Sequence, residues 1–354
     1  MAVVADRSGS TRSTDSSAVV LILSAREDTH ATTVGRLVRE MGSEPLLFDI
    51  STFPTRAGLV LYRGGNGTRG CESWLHLPDG SRVEAGSVRS VWWRRPQRPR
   101  VSVAMTDPAH RRFAINESLC ALNGLWHSMD CRWVNPIEAD RAAAHKPAQL
   151  KLAAECGLAV PDTLVTNEVA AAREFVDRHG ENVVYKAFMG LPTAWRETRL
   201  LRVEERECLE DVRFAPLIFQ ELVEGRDLRV TVVGEEIFAA EMDTSRSRYP
   251  YDIRMDMTVP VTRVELADAE REALLRLVAV LGLQYGACDL RRRPDGELVF
   301  LELNPAGQFL HIEELTGLPI ARALAVLLTR SPEKEDRHAP APEEPDRGAH
   351  RPPT

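Results

Sequence analysis

Two apolar runs, Tyr285 to Arg291 and Leu298 to Leu303, flank Pro294-Asp-Gly296, and a turn of that kind obliges them to pair as an antiparallel hairpin. Each run carries one carboxylate, Asp289 and Glu302, and the pairing brings the two together. Asn304 follows Glu302 by one two-residue strand period and returns to the same face. Glu302 stands inside Val299-Phe-Leu-Glu-Leu303, where an unpaired charge is costly. A bound cation relieves that cost, and three oxygen-bearing side chains at one strand edge suit Mg2+, with water and phosphate oxygens completing its shell. A buried arginine partner, or a surface pair flanking the hairpin, satisfies the same local pattern.

The rest of the chain is long enough to build a cleft around such a hairpin. Its 354 residues exceed one ordinary domain, so two or three packed subdomains are expected. The formal charge of -7 gives no general reason to bind nucleic acid or an anionic membrane. Apolar runs stop short of membrane-spanning length and Met1 to Ser17 has no secretion-signal core, from which a cytoplasmic location is expected. Six dispersed cysteines form no CxxC pair, which argues against a zinc site or a disulfide framework. Residues 1–17, rich in Ser, Thr, Arg and Asp, and residues 331–354, rich in Pro, Glu, Arg and His, are tails that cannot bury enough apolar surface to order.

Between the tails, Ala18-Val-Val-Leu-Ile-Leu-Ser24 reads as a buried central strand, followed by a helix after Asp28 and a second strand over Pro45 to Ile50. Further strands are predicted at Leu59 to Tyr62, Ser73 to Leu77 and Val88 to Trp93, the last running into Trp92-Trp-Arg-Arg-Pro96. Arg94 and Arg95 beside indoles fit either a clamp for an acidic peptide or a strand end with snorkelled arginines. A helix covers Pro108 to Met129, Asn135-Pro136 marks a boundary, and another helix is predicted over Ala142 to Cys156. Strands follow at Asp162 to Val165, Asn182 to Ala187, Leu217 to Val223, Leu228 to Val233 and Ile237 to Met242, with helices over Glu168 to His179 and Asp268 to Val280.

Lys146 and Lys186 are placed to meet phosphate oxygens as point charges, or to be solvated surface groups. Glu221 and Asp227 flank an apolar-then-glycine segment whose backbone suits a base edge and whose acid suits a ribose, or are polar residues beside a turn. Cys288, next to Asp289, reads as small-residue packing.

This order of features, above all Phe219-Gln-Glu-Leu-Val-Glu-Gly, Asp289, Glu302-Leu-Asn304, Trp93-Arg-Arg-Pro96 and Asn135-Pro136, resembles the ATP-grasp superfamily. It is most similar to the branch that holds ribosomal-protein glutamate ligases and the graspetide, microviridin-type, peptide maturases. The resemblance implies a mixed α/β and α+β architecture, the ATP-grasp fold. An N-terminal α/β domain over residues 18–134 would bind substrate or leader. Lobes over 135–222 and 223–330 would enclose a nucleotide cleft.

Carried over by position, the resemblance assigns Lys146 and Lys186 to ATP phosphates, and Glu221 and Val223 to the adenine hinge. It assigns Asp227 to ribose, and Asp289, Glu302 and Asn304 to Mg2+. Arg229 would face phosphate or the activated carboxylate, with Lys186 and Arg254 also catalytic; Asp252 of the Asp-x-Arg segment, Arg94 and Arg95 are candidate peptide contacts. The implied reaction uses ATP and Mg2+ to turn Asp or Glu side chains of a ribosomal precursor peptide, with leader and acidic core, into acyl phosphates. Ser or Thr hydroxyls or Lys amines then attack them. A ligase joining separate amine and carboxylate substrates, and a noncatalytic nucleotide-binding scaffold, are the alternatives. A homodimer is compatible with this reading.

Overall fold

The computed structural model describes residues 18–63, 72–188, 198–244 and 258–330. The chain begins with β1 (Val19–Leu23), α1 (Thr29–Glu40) and β2 (Glu44–Phe48). A small antiparallel sheet follows, formed by β3 (Gly58–Tyr62), β4 (Glu72–His76) and β5 (Arg82–Glu84). The chain then returns through β6 (Val88–Trp93), α2 (Pro108–Ser128) and β7 (Arg132–Val134) to complete a parallel sheet in the order β2-β1-β6-β7. The unbroken apolar run of β1 suits its central place because both faces are covered. Val20 and Ile22 pack with Val34 and Val38 of α1, while Leu21 and Leu23 join Leu122, Leu125 and Trp126 of α2. Asp28 caps α1 by accepting from the N–H groups of His30 and Ala31.

The single helix expected over Ala142 to Cys156 is instead two, α3 (Ile137–Ala143) and α4 (Lys146–Glu155). Pro147 explains the break: its ring would clash with the carbonyl of Ala143 in a continuous helix, but is accommodated in the first turn of a new one. Next come β8 (Thr163–Thr166), α5 (Val169–His179), β9 (Val183–Lys186), the unanticipated β10 (Arg199–Leu200), and β11 (Leu217–Glu221). They form an antiparallel sheet ordered β10-β9-β11-β8.

The third large sheet is built from β12 (Arg226–Val233), β13 (Glu236–Met242), β14 (Val261–Arg263), β15 (Tyr285–Arg292) and β16 (Leu298–Asn304), with α6 (Asp268–Val280) preceding β15. Its order is β14-β13-β12-β15-β16, antiparallel throughout. Two helices that sequence periodicity did not resolve, α7 (Leu310–Thr316) and α8 (Ile320–Thr329), close the described chain.

Helix α8 is apolar on most sides because it lies between two sheets, packing on β6 and on β12. The last carbonyls of such a helix need donors, which the parallel sheet supplies: Arg89 to Thr329, Ser90 to Leu328 and Arg132 to Leu327, at 3.1, 2.7 and 2.9 Å. A second tie is Asn135, which accepts from the N–H groups of Gln284 and Tyr285 and donates to the carbonyls of Tyr285 and Pro305. The third is Arg94, only 1% exposed, held by Asp28 and by the carbonyls of Ala306 and Gly307. Among the described residues no helix is long and apolar enough to cross a membrane.

Two consequences are measurable. Asp28→Ala leaves the Arg94 guanidinium buried without its counter-charge and should cost about 3–5 kcal/mol, read as a lower urea midpoint at unchanged slope. Burial pushes the Asp140 carboxyl up to about 6. A raised folded pKa contributes stability that is present below the ordinary value and lost as pH rises through about 6. The unfolding free energy of wild type relative to Asp140→Asn should therefore fall between roughly pH 4 and pH 6. Asp28, held well below the usual carboxylate range because contacts with His30, Arg94 and Ala31 outweigh its burial, titrates below that window.

Candidate active site

Strands β15 and β16 pair with Asp289 opposite Glu302, and the register shifts just beyond them, between Asp289 and Leu290. Such a bulge beside a cleft re-aims the flanking side chains. On the other side of β15, Arg229 of β12 stands opposite Asp289, and its Nη1 lies 2.7 Å from Asp289 Oδ1. Lys146, in the first turn of α4, donates its Nζ to Glu302 Oε2. The result is a row of alternating partners, Arg229, Asp289, Glu302, Lys146, at the edge of two lobes. The arginine alternative raised by the sequence is thus realised for Asp289, and a lysine takes the corresponding place for Glu302.

Lys146 reaches Glu302 because of a residue the sequence reading missed. Gln149, buried one turn further along α4, donates to the carbonyl of Leu303 at 2.8 Å and accepts from its N–H at 2.9 Å, binding the helix to the strand next to Glu302. An amide three residues after a lysine, on the same helix face, was the available signal.

Asn304 ends β16, exposed, with its Oδ1 accepting from the N–H of Ala306 at 2.9 Å. Asp289 and Glu302 side chains are 30% and 24% exposed, enough for an incoming ligand to reach them. Two carboxylates and one amide oxygen on one strand edge are a hard-donor set of the kind Mg2+ prefers, and the residues present fit it. Nearby thiol and imidazole groups do not compete. Burial, then Asp289, pushes the Cys288 thiol up to about 12, and burial, then Arg229 and His30, pushes His311 down to about 4, leaving it neutral.

The other end of the cleft is the connection from β11 to β12. Gly225 has a φ of 137°, and a Cβ there would lie 2.0 Å from the carbonyl oxygen of Arg292. Only glycine lets the hinge pass so close to β15. Arg291, 8% exposed, straps the hinge from beneath, donating to the carbonyls of Val223 and Gly225 and pairing with Asp227 at 3.2 Å. In Arg291-Arg-Arg293, strand alternation sends Arg291 inward, while Arg292 grips Glu270 and Arg293 grips Glu221. Asp227 also accepts from Thr244 Oγ1 at 2.9 Å. The Glu221 carboxylate is drawn to Arg293. Lys186 donates its Nζ to Gln220 Oε1 at 3.1 Å, and Gln220 in turn donates to Thr163.

The two consecutive arginines after β6 part company. Arg94 is sealed inside the protein, so the clamp reading fails for it: an arginine that must join two sheets has no surface left for a peptide. Arg95 is exposed and donates its Nε to the carbonyl of Ala306 at 3.0 Å. Asp252 and Arg254 lie outside the described residues. Behind the hinge, Asp162, His179 and Glu221 bring ligand atoms within 4.8 Å of one another, a grouping their wide sequence spacing concealed.

With this geometry in view, residues 19–141 match the family model described as the MvdD pre-ATP grasp domain. Over 88% of its length the chain superposes on 98% of the macrocyclase MdnB from Microcystis aeruginosa MRC, with 31% identity and a TM-score of 0.74. It covers 96% of a RiPP-associated ATP-grasp ligase of Chryseobacterium gregarium solved with ADP and a leader and core peptide, at 25% identity and a TM-score of 0.80, again over 88% of this chain. The ATP-grasp ligase PsnB, solved with a minimal precursor, Mg and ADP, is 26% identical, with a TM-score of 0.70 over 88% of this chain and 97% of that one.

Gly225→Ala should strain the hinge against the Arg292 carbonyl, costing about 1–3 kcal/mol or more and abolishing the ADP-induced rise in melting temperature, both read by thermal shift with and without ADP.

Proposed function

Since the chain belongs to the ATP-grasp ligases that macrocyclise ribosomal peptides, we propose that it activates Asp or Glu side chains of a precursor peptide with ATP and closes them onto Ser or Thr hydroxyls or Lys amines of the same peptide. The observation that carries this reading is the row of Arg229, Asp289, Glu302 and Lys146, with Asn304 on the same strand, at the mouth of a hinge built around Gly225. Two acids each held by a cation form a site ready to exchange those cations for a metal–polyphosphate complex.

The main chain of residues 221–223 holds the adenine edge, the Val223 side chain being buried in the protein, and Asp227, fixed by Arg291 and Thr244, receives the ribose hydroxyls. Lys186 on β9 and Lys146 at the start of α4 meet the phosphates. Asp289, Glu302 and Asn304 are the residues that would hold Mg2+, which when bound offsets phosphate charge. A carboxylate oxygen of the peptide attacks the γ-phosphorus, the bond from that phosphorus to the ADP oxygen breaks, and an acyl phosphate forms. Arg229, once relieved of Asp289, stabilises the negative charge on the transferring group. A hydroxyl or amine then attacks the acyl carbon, loses its proton, and expels inorganic phosphate. Arg254 and Asp252 are assigned to the reacting end by their Asp-x-Arg sequence. Alignment and exclusion of water do the work, and no enzyme nucleophile is needed, in keeping with the raised Cys288 thiol.

The partner is a precursor peptide with a leader and an acidic core, of the kind seen bound in the Chryseobacterium ligase. Co-expression with a short Thr-, Glu- and Asp-rich peptide encoded beside its gene should yield peptide lighter by one water per ring, read by intact mass and fragmentation. Glu302→Gln and Asp289→Asn should still bind that peptide but lose dehydration by about 100-fold or more. Condensation of separate small amines and carboxylates, with the peptide unmodified, would point to the amino-acid ligase reading instead.

A further inference from the structure

Arg95 combines three properties that no structural role accounts for. Its φ of 120° is the single positive value among the described non-glycine residues, and such strain persists where surroundings enforce it. Its Nε is pinned to the carbonyl of Ala306, yet no carboxylate among the described residues pairs with the guanidinium, whereas Arg94 beside it is paired with Asp28. It lines a cleft of about 360 Å³ at the C-terminal ends of β1 and β6, with Ser24, Glu27, Thr29, Gln97 and Gln308.

That cleft opens where ligands gather in parallel sheets, outside the carboxyl ends of the strands. It is also joined to the phosphate end of the site through one residue. The N–H of Ala306 binds Asn304 Oδ1, and its carbonyl binds Arg95 Nε. Other charged groups beside the cleft are already engaged: Asp28 by Arg94, Ser24 and the start of α1, and His30 Nε2 by the N–H groups of Phe309 and Leu310. Glu27 is exposed and makes no ion pair with Arg95. A guanidinium fixed through Nε keeps its two terminal nitrogens as a rigid fork, the geometry that matches a carboxylate.

We propose that Arg95 is the specificity residue that receives the acidic side chain of the peptide core, holding the Asp or Glu carboxylate beside Ala306 before it is activated. The inference rests on the macrocyclase reading for its substrate. Its geometry is independent of the leader, and it separates Arg95 from Arg94, whose guanidinium is consumed by the fold.

The full chain with Mg-ADP is probed by saturation-transfer NMR with N-acetyl-glutamate α-amide and, as the uncharged isostere, N-acetyl-glutamine α-amide. The acid should give a signal on the wild type at least about fivefold above the amide, and that excess should vanish in Arg95→Ala and Arg95→Gly. Arg95→Gly relieves the backbone strain, so its melting temperature should equal or exceed that of wild type, which separates lost recognition from lost folding. With a modified precursor, Arg95→Gly should raise KM for the peptide about tenfold while leaving the ADP affinity unchanged. Equal acid and amide signals on the wild type, no acid signal there, or an acid signal that survives both substitutions would each overturn the proposal. Absence of peptide dehydration by the wild type would instead sink the macrocyclase reading and leave the acid-over-amide preference standing.

Discussion

A buried guanidinium organises this protein. Arg94 cannot be left in an apolar interior without partners, and it finds them on two separate stretches: Asp28 at the start of α1 and the carbonyls of Ala306 and Gly307 after β16. Tyr285 adds a hydrogen bond from its hydroxyl to Gly307 at 2.9 Å, and His30 accepts from the N–H groups that begin α7. Gly307 itself must lack a side chain, since a Cβ would lie 2.3 Å from that of Ala287. The turn leaving β16 is therefore fixed by the parallel sheet at the other end of the sequence.

The same economy governs the charge row. Asp289 and Glu302 are held in place by Arg229 and Lys146. The pairs are partly exposed, so each contributes little to stability. Their value is positional: in the proposed reaction the acids would need no reorganisation when a metal and polyphosphate replace the resident cations, which is the condition for electrostatic catalysis. Gln149 and Asn135 hold the row's supports by saturating main-chain groups of Leu303 and Tyr285, which ties α4 to β16 and the segment after β7 to β15.

Much of this was legible from local pattern. Apolar alternation around the Pro-Asp-Gly turn placed Asp289 opposite Glu302, and the continuous apolar run of β1 announced a strand covered on both faces. Helix α8 was harder to read because it is apolar on most sides, and a buried helix carries no amphipathic stripe to separate it from a strand. Pro147 was visible but underweighted, and it divides what looked like one helix.

By itself the sequence determined the strands and turns whose period and punctuation are local, and with them the pairing of the two acids. Only the tertiary structure decided which arginines serve the fold and which face a ligand. Arg94 and Arg95 are adjacent and chemically identical, yet one is sealed by residues more than two hundred positions away and the other opens onto a cleft. Arg291 likewise became a hinge strap only when Val223 and Gly225 came within reach. The physical reason is that burial and hydrogen-bond satisfaction belong to the packed whole, and a charged side chain's role follows from the partners that packing delivers.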